Sequence, residues 1–229
     1  MKTELVHISV VPTTEPQSPP LPAPPAGRRE RNKREKWARI ERAARAEFAK
    51  RGFEAATLRA IAARARVATG TLFLYARDKR ALLFLVFQDE ARRIFAEARD
   101  AAGPSTPIVD ALLGLFGRFL DFYERDPELS AAILREFFFR PYEPERLGAL
   151  TREYGALVAD FVERARARRE IRSDVPAAAA ANALFAHYAY WVQTWLGSRL
   201  VSRAQAEAGL RDALVLQIEG LRPQNRRAS

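Results

Sequence analysis

The segment from Thr69 to Tyr75 combines small polar residues with aromatic ones. It reads TGTLFLY, and the residues Thr69, Gly70 and Thr71 are small enough to let a bound molecule approach the backbone. A threonine hydroxyl can form hydrogen bonds with phosphates or base edges, and its methyl group can contact the methyl of thymine. The hydroxyl of Tyr75 can donate to a phosphate. This chemistry is typical of a surface that enters the major groove of DNA.

Cationic residues flank this segment on both sides. Arg59 can reach a phosphate or a guanine, and Lys79 can contact the DNA backbone with help from the dipole of the helix that it begins. The predicted DNA-contacting residues are Thr57, Arg59, Thr69, Gly70, Thr71, Phe73, Tyr75 and Lys79. The alternatives are ordinary surface charges for the cations, solvated hydroxyls for the threonines, and a core position for Phe73. Leu72 is predicted to lie in the core.

The positive charge of the chain is concentrated around these residues. The formal net charge is +10, and residues 28–80 hold 17 Lys and Arg against 6 Asp and Glu, whereas the other residues hold 21 against 22. A basic block beside a neutral one indicates a polyanion-binding module joined to another domain. The alternative is a surface whose charge serves only solubility.

The composition excludes several classes of site. Cysteine is absent and His7 and His187 are the two histidines, so thiolate chemistry and multi-histidine zinc sites are excluded. The chain also lacks the glycine-rich and nucleophile-elbow motifs of common enzymes. No cofactor and no enzymatic activity are therefore expected. Because no apolar run is long enough for a membrane span and the first residues lack a signal peptide, a cytoplasmic location without membrane contact is expected.

Three helices are predicted to position the contact residues. Trp37, Ile40, Ala44 and Phe48 recur at helical spacing, and Gly52 then suits a helix C-cap. A short amphipathic helix follows Thr57, its predicted N-cap, and a brief turn leads into the third helix. Two short helices joined by a tight turn behind a supporting helix form a helix-turn-helix domain, in which the last helix contacts base edges.

The remaining chain is predicted to be helical as well. A long helix starts near residue 78, and five more lie between breaks such as Gly103-Pro104, Asp126-Pro127 and Arg140-Pro141. We therefore expect an all-α protein of about nine helices. The predicted divisions are a disordered Pro-rich and basic extension at 1–34, a helix-turn-helix domain at 35–80, a helical ligand-binding and dimerisation domain at 81–222, and a disordered tail at 223–229.

Residues 40–83 resemble the DNA-binding domain of TetR-type transcriptional regulators. The matching residues are Ile40, Ala43, Ala44, Phe48, Gly52, Thr57, Ile61, Ala62, Val67, Gly70, Thr71, Leu72, Phe73, Tyr75, Asp78, Lys79 and Leu82. The sequence departs from the family at four positions: Arg66 stands where glycine is usual, Ala68 where serine is common, Phe73 where tyrosine is common, and Ala76 where a larger apolar residue is common. Arg66 must adopt a left-handed conformation or alter the turn. Thr69 could replace the missing serine cap.

The resemblance implies that the second half of the chain binds a ligand and forms a dimer. This half is rich in aromatic residues, which by physics alone are more often packed core than pocket. The candidate residues for a wall that binds a small hydrophobic ligand are Phe119, Tyr123, Phe138, His187, Tyr188 and Trp191. A satisfied, partly buried histidine is the alternative for His187. The candidate dimerisation residues are Trp195, Leu210, Leu214 and Ile218.

The predicted function is a homodimeric, ligand-responsive repressor that binds a pseudo-palindromic operator in double-stranded DNA. Two identical recognition helices related by a two-fold axis match two half-sites of such an operator. One alternative is an architectural protein that binds DNA with low sequence specificity, and a less favoured one is an enzyme built on a helical bundle.

Overall fold

The computed structural model describes residues 27–138 and 144–222, and within these ranges the chain is helical and contains no strand. The all-α prediction is therefore confirmed. The α-helices are α1 (Arg28–Ala55), α2 (Leu58–Ala65), α3 (Thr69–Phe73), α4 (Lys79–Ala101), α5 (Ile108–Arg125), α6 (Pro127–Phe138), α7 (Pro144–Ala167), α8 (Ala177–Val192) and α9 (Arg203–Gly220). A π-helical segment, Gln193–Gly197, extends α8. None of the described helices is long and apolar enough to cross a membrane.

The described chain divides into two compact units. The amino-terminal unit contains residues 27–92 and 123–138, and the carboxy-terminal unit contains residues 93–122 and 144–222. The amino-terminal unit thus reaches beyond the border predicted at residue 80, because it also includes α6, which packs on α1. In the same unit α2 packs on α1 and on α3. In the carboxy-terminal unit, α8 packs on α7 and α9.

Helix α1 begins earlier than the sequence indicated. Residues 28–34 were predicted to be disordered, yet the helix starts at Arg28, directly after Gly27. The seven residues are Arg, Glu, Asn and Lys, most of which are good helix formers, and no proline follows Gly27 to interrupt them. The other residues predicted to be disordered, 1–26 and 223–229, lie outside the described ranges.

Gly52 bends the end of α1 by leaving the helical conformation. Its φ of 73° and ψ of 164° are favourable for glycine and unfavourable for residues with a Cβ atom. The chain resumes a short helical stretch as far as Ala55 and then extends at Ala56. The predicted helix end at Gly52 is therefore a kink, and the added turn carries Phe53 into the core, where its ring contacts Phe48 at 5.7 Å between centroids.

The core of the amino-terminal unit is built from apolar faces of five helices, α1 to α4 and α6. Its most deeply buried large side chains include Ile40, Phe48, Ile61, Leu72, Leu82 and Phe84. Phe137 of α6 contacts Phe84 edge to face at 5.1 Å and stacks with Phe87 at 6.0 Å. Arg80 adds an ion pair to the buried Glu136, with 3.0 Å between Nε and Oε2. These contacts hold α6 and the start of α4 together within this unit.

Candidate nucleic-acid interface

The turn between α2 and α3 is formed as a helix-turn-helix requires. Thr57 is the N-cap of α2, and its hydroxyl accepts a hydrogen bond from the backbone N–H of Ala60 at 3.1 Å. Arg66 ends α2 in the left-handed conformation with φ 54° and ψ 48°, which costs a non-glycine residue about 1–2 kcal/mol. Its backbone N–H then donates to the carbonyl of Ala63 at 3.1 Å. Arg66 thus keeps the tight turn in place of glycine.

Helix α3 begins without a side-chain cap. Ala68 occupies the N-cap position, and no side chain accepts a hydrogen bond there. Thr69 is the first helical residue, so the expectation that it would replace the missing serine cap is wrong. The reason is geometric, since the carbonyl of Ala68 already accepts from the N–H of Thr71 at 2.9 Å and so fixes the start of the helix one residue earlier. The hydroxyl of Thr69 is consequently not used as a cap.

The side chains of α3 divide into a buried and an exposed set. Leu72 is fully buried, as the sequence predicted, and anchors the helix to the core. Gly70 is exposed, and Thr69 and Thr71 are half-buried. Phe73 is 51% exposed and Leu74, which directly follows the helix, is 84% exposed. Leu74 was not among the residues predicted from the sequence to be exposed at this surface. Its position two residues after the buried Leu72 could have indicated this, because residues two apart in a helix point in different directions.

Tyr75 is tied to the amino-terminal part of α1. Its ring stacks on Trp37 with 5.7 Å between centroids, and its hydroxyl donates to the carbonyl of Lys33 at 3.3 Å. Trp37 in turn donates from Nε1 to Asp89 at 2.5 Å. The stacking holds the end of the α3 segment against α1. A phosphate contact by Tyr75 remains a prediction, because its hydroxyl donates to the protein here.

The two predicted cations have different surroundings. Arg59 is exposed on α2. Lys79 is half-buried: its ammonium donates to the carbonyl of Glu54 at 2.7 Å and lies 4.6 Å from the centre of the Phe53 ring. Lys79 therefore joins the start of α4 to the end of α1, which is a structural role that the sequence did not suggest. An ammonium has three donors, so a phosphate contact by Lys79 is compatible with this one.

A buried carboxylate connects α1 to α2 behind this surface. Glu47 is 4% exposed, and its two carboxylate oxygens lie 2.7 Å from Nε of Arg64 and 3.0 Å from Nε of Arg51. The hydrogen bond from Arg64 lowers the pKa of Glu47 below its ordinary value of 4.5, and it outweighs the opposing effect of burial. The ionised carboxylate thus fixes α2, and with it the turn to α3, against the supporting helix.

The candidate ligand residues lie in different environments. Phe119 and Tyr188 belong to a packed aromatic cluster in the carboxy-terminal unit, made of Phe95, Phe116, Phe119, Tyr154, Phe185 and Tyr188. Within it, Tyr154 contacts Phe95, Phe116 and Phe185, and burial raises the pKa of the Tyr154 hydroxyl above the ordinary value. Tyr123 is buried in the amino-terminal unit. The side chain of Phe138 lies outside the described part of the structure.

His187 and Trp191 lie on α8 and face α9. Nε2 of His187 is 3.1 Å from Oε1 of Gln217, so the half-buried histidine has a hydrogen-bond partner within the chain. Trp191 lies so close to Gly209 that a Cβ atom there would come within 2.1 Å of the indole ring. Both residues thus contribute to the packing of α8 on α9, and their role towards a ligand remains a prediction.

Three of the four candidate dimerisation residues are buried inside the chain itself. Leu210, Leu214 and Ile218 are at most 3% exposed, because they form the face of α9 that packs within the carboxy-terminal unit. Their side chains are therefore not available to a second chain. A dimer interface on α9 would have to use the opposite face of the helix. That face carries Val215 and Leu216, which are 36% and 73% exposed. Trp195 is half-buried.

The helix-turn-helix region of the chain is similar in sequence to known DNA-binding regulators. Residues 40–86 match the family model described as bacterial regulatory proteins, tetR family. The HTH-type transcriptional repressor KstR of Mycolicibacterium smegmatis is 37% identical over 106 residues, which are 46% of this chain and 52% of that protein. The chain spans about half the length of the curated relatives that it matches.

Solved structures are similar over most of the described chain. FadR from Thermus thermophilus, a repressor solved in complex with lauroyl-CoA, is 25% identical and has a TM-score of 0.68, with 84% of this chain and 98% of that chain covered. FadR from Bacillus subtilis, solved with stearoyl-CoA, is 18% identical with a TM-score of 0.63, and covers 80% and 98%. The similarity to FadR from Bacillus subtilis, at this low identity, shows only that the two chains share a fold. In residues 40–86 this chain therefore carries the amino-terminal domain of the tetR family of bacterial regulatory proteins.

Proposed function

We propose that the chain is a dimeric transcriptional repressor that binds a DNA operator through α2 and α3 and releases it when a small hydrophobic ligand binds. The observation that carries the proposal is the exposed surface of α3 in a unit that matches the tetR family model. Gly70, Thr71 and Phe73 lie there on a helix that Leu72 fixes to the core. The curated relatives that match the chain are repressors, which supports the direction of regulation.

The charge distribution supports binding to the DNA backbone. Arg59 and Arg66 are exposed beside α3, and Arg31, Lys33 and Lys36 are exposed on the first turns of α1. Cations that neutralise phosphates release counterions, so the affinity should fall steeply as the salt concentration rises. The hydrogen bond from the Tyr75 hydroxyl to the carbonyl of Lys33 connects this part of α1 to the segment that follows α3. Both regions are thus suited to follow one stretch of duplex.

We also propose that two chains associate through the exposed face of α9. Val215 and Leu216 are apolar residues on that face, and Tyr190 of α8 is 60% exposed. Since α8 packs on α9, these exposed apolar side chains lie on two adjoining helices, and such surfaces often mark an interaction site. A two-fold dimer would present two copies of α3 to a pseudo-palindromic operator.

The aromatic cluster of the carboxy-terminal unit is the proposed ligand site. Its rings are in contact, with Phe116 and Tyr188 stacked at 4.6 Å, so an apolar chain must separate them in order to enter. This requirement couples ligand binding to a change in helix packing. The similarity to a FadR solved with lauroyl-CoA supports a long-chain acyl thioester as the ligand class. A ligand releases DNA only to the extent that it prefers the non-binding conformation.

The proposal is tested by titrating the protein with two fluorescent duplexes at two salt concentrations. One duplex carries the region upstream of its own gene, and the other is a scrambled version. Preference for the natural duplex that persists at higher salt, and release on adding lauroyl-CoA but not coenzyme A, would support the proposal. Release by neither compound would contradict the acyl thioester assignment and leave operator binding standing.

Low-specificity architectural binding is the second candidate function. The observation that favours it is the large number of exposed cations on α1 and α2, which attract any duplex. Equal, salt-sensitive binding to the natural duplex, the scrambled duplex and duplexes selected from random DNA would establish this alternative. A specific regulator should prefer its site by at least about a thousandfold.

A further inference from the structure

The exposed pair Phe73 and Leu74 is unusual for its position. In the described part of the amino-terminal unit, these two are the large apolar side chains that are mostly exposed, at 51% and 84%. They follow Leu72, which is fully buried, so the backbone is fixed and the pair projects from a rigid base. Leu74 keeps a helical conformation, with φ −69° and ψ −20°. The pair is therefore held in place with more than half of each side chain exposed.

The surroundings of the pair indicate what covers it. Thr71 precedes it, and the exposed Arg66 and Arg77 lie before and after it in the chain. An apolar protein partner would have to desolvate the guanidinium of Arg66 and the ion pair of Arg77 with Asp78, and it would offer no charge to either. A DNA groove instead brings phosphates to the arginines while it covers the apolar side chains. Charge complementarity, and continuity with the proposed α3 interface, thus favour DNA over a protein.

Phe73 and Leu74 have no polar atoms in their side chains, which limits what they can recognise in DNA. They cannot form hydrogen bonds with a phosphate or with the donors and acceptors of a base edge. The apolar group that the four bases present in the major groove is the C5 methyl of thymine. An apolar side chain placed there gains from thymine, and it leaves the polar edges of the other bases without a partner.

We propose that Phe73 and Leu74 determine part of the operator sequence by contacting thymine methyl groups in the major groove. The inference rests on the proposed DNA-binding function. Each methyl removed from water by such a contact should strengthen binding about three- to fivefold. The operator should therefore contain thymine at the positions beneath this pair in each half-site. The tyrosine common in the family at position 73 would instead offer a hydroxyl to a phosphate.

The test removes the methyl groups without changing base pairing. The full chain first selects its preferred duplex from random DNA, and this duplex is then synthesised with deoxyuridine in place of each thymidine in turn. Fluorescence anisotropy compares the parent with Leu74→Asn, which has a similar size. Leu200→Asn is the matched control, because Leu200 is 75% exposed and belongs to the carboxy-terminal unit.

The parent and Leu200→Asn should lose about three- to fivefold in affinity when one or two particular thymines become uracil. Leu74→Asn should bind the thymine duplex more weakly and lose much less from the same replacement. Equal binding of the parent to both duplexes, an unchanged uracil effect in Leu74→Asn, or a selected site without thymine would overturn the inference while operator binding stands. A selection that yields no preferred duplex would overturn the proposed function as well.

Discussion

Thr71 and Leu72 are neighbours in α3 with opposite environments, since Leu72 is fully buried and Thr71 is half-buried at the surface. Thr71→Ala removes one hydroxyl and leaves the packing of Leu72 unchanged. Loss of one hydrogen bond to DNA should weaken operator binding by about 1 kcal/mol, or roughly fivefold. Anisotropy titration measures the change, and circular dichroism checks that the fold is retained.

The matched control for this prediction is Thr151→Ala on α7, another half-buried threonine, in the carboxy-terminal unit. It should bind the operator like the parent. If Thr71→Ala also bound like the parent, the hydroxyl would not contact DNA and the assignment of Thr71 would be wrong.

Glu47 gives the amino-terminal unit a dependence on pH. Because the folded-state pKa of Glu47 lies below the ordinary value of 4.5, its ionised form stabilises the fold above that pH. This contribution is lost as the pH falls through the folded-state pKa. Glu47→Gln should therefore lower the melting temperature at pH 7, and the difference from the parent should shrink as the pH falls below about 4.5.

Thermal unfolding followed by circular dichroism at several pH values measures this difference. Glu35→Gln is the control, because Glu35 is exposed on α1 and its replacement should leave the melting temperature almost unchanged. A constant difference between Glu47→Gln and the parent at every pH would show that the effect comes from packing and not from the charge of Glu47.

At the scale of the helix, most of the fold follows from the sequence. Apolar stripes such as Ile40, Ala44 and Phe48, and breaks such as Gly103-Pro104, define helices whose observed ends lie within a few residues of those predicted. These patterns involve residues close together in the chain, so they can be recognised from the sequence without the structure. The early start of α1 at Arg28 has no apolar stripe to mark it, since its first turns are exposed and polar.

The parts of the site that were missed depend on contacts far apart in the sequence. Tyr75 stacks on Trp37, and Lys79 donates to the carbonyl of Glu54, and neither pairing leaves a local pattern. The burial of Leu210 and Leu214 inside the carboxy-terminal unit also depends on where α8 lies. An apolar stripe shows that a helix face is covered, but it does not say whether the same chain or a second one covers it.

The packing of α8 on α9 depends on a close approach at Gly209. Since a Cβ atom at this position would lie 2.1 Å from the ring of Trp191, Gly209→Ala must displace the indole. Overpacking of this kind typically costs 1–3 kcal/mol, so the melting temperature should fall by several degrees. Tryptophan fluorescence should also change, because Trp191 moves.

Gly220→Ala is the control for this prediction, since a Cβ atom at Gly220 would meet nothing within 4 Å. Alanine should leave the stability unchanged there or raise it slightly, as it favours helix more than glycine does. If Gly209→Ala were as stable as the parent, the indole would have room to move and the close approach would not be needed for packing.

At the scale of the whole molecule, operator binding should depend on association of two chains. A stable dimer must bury about 1,200–2,000 Å² of surface, and Leu216, at 73% exposure, offers an apolar side chain on the free face of α9. Leu216→Asp places a charge in the proposed interface and leaves the buried Leu214 and Ile218 in place. It should give folded monomers, since a buried, unpaired charge is strongly unfavourable.

Analytical ultracentrifugation measures the mass, and anisotropy measures operator binding. The monomeric variant should bind a full operator no better than a half-site, because one copy of α3 can occupy only one half-site. Ala156→Asp, which puts the same charge on an exposed position of α7, should remain dimeric. If Leu216→Asp stayed dimeric, another surface would hold the two chains together. If it became monomeric but kept full operator affinity, one chain would suffice for recognition and the two-fold arrangement would be wrong.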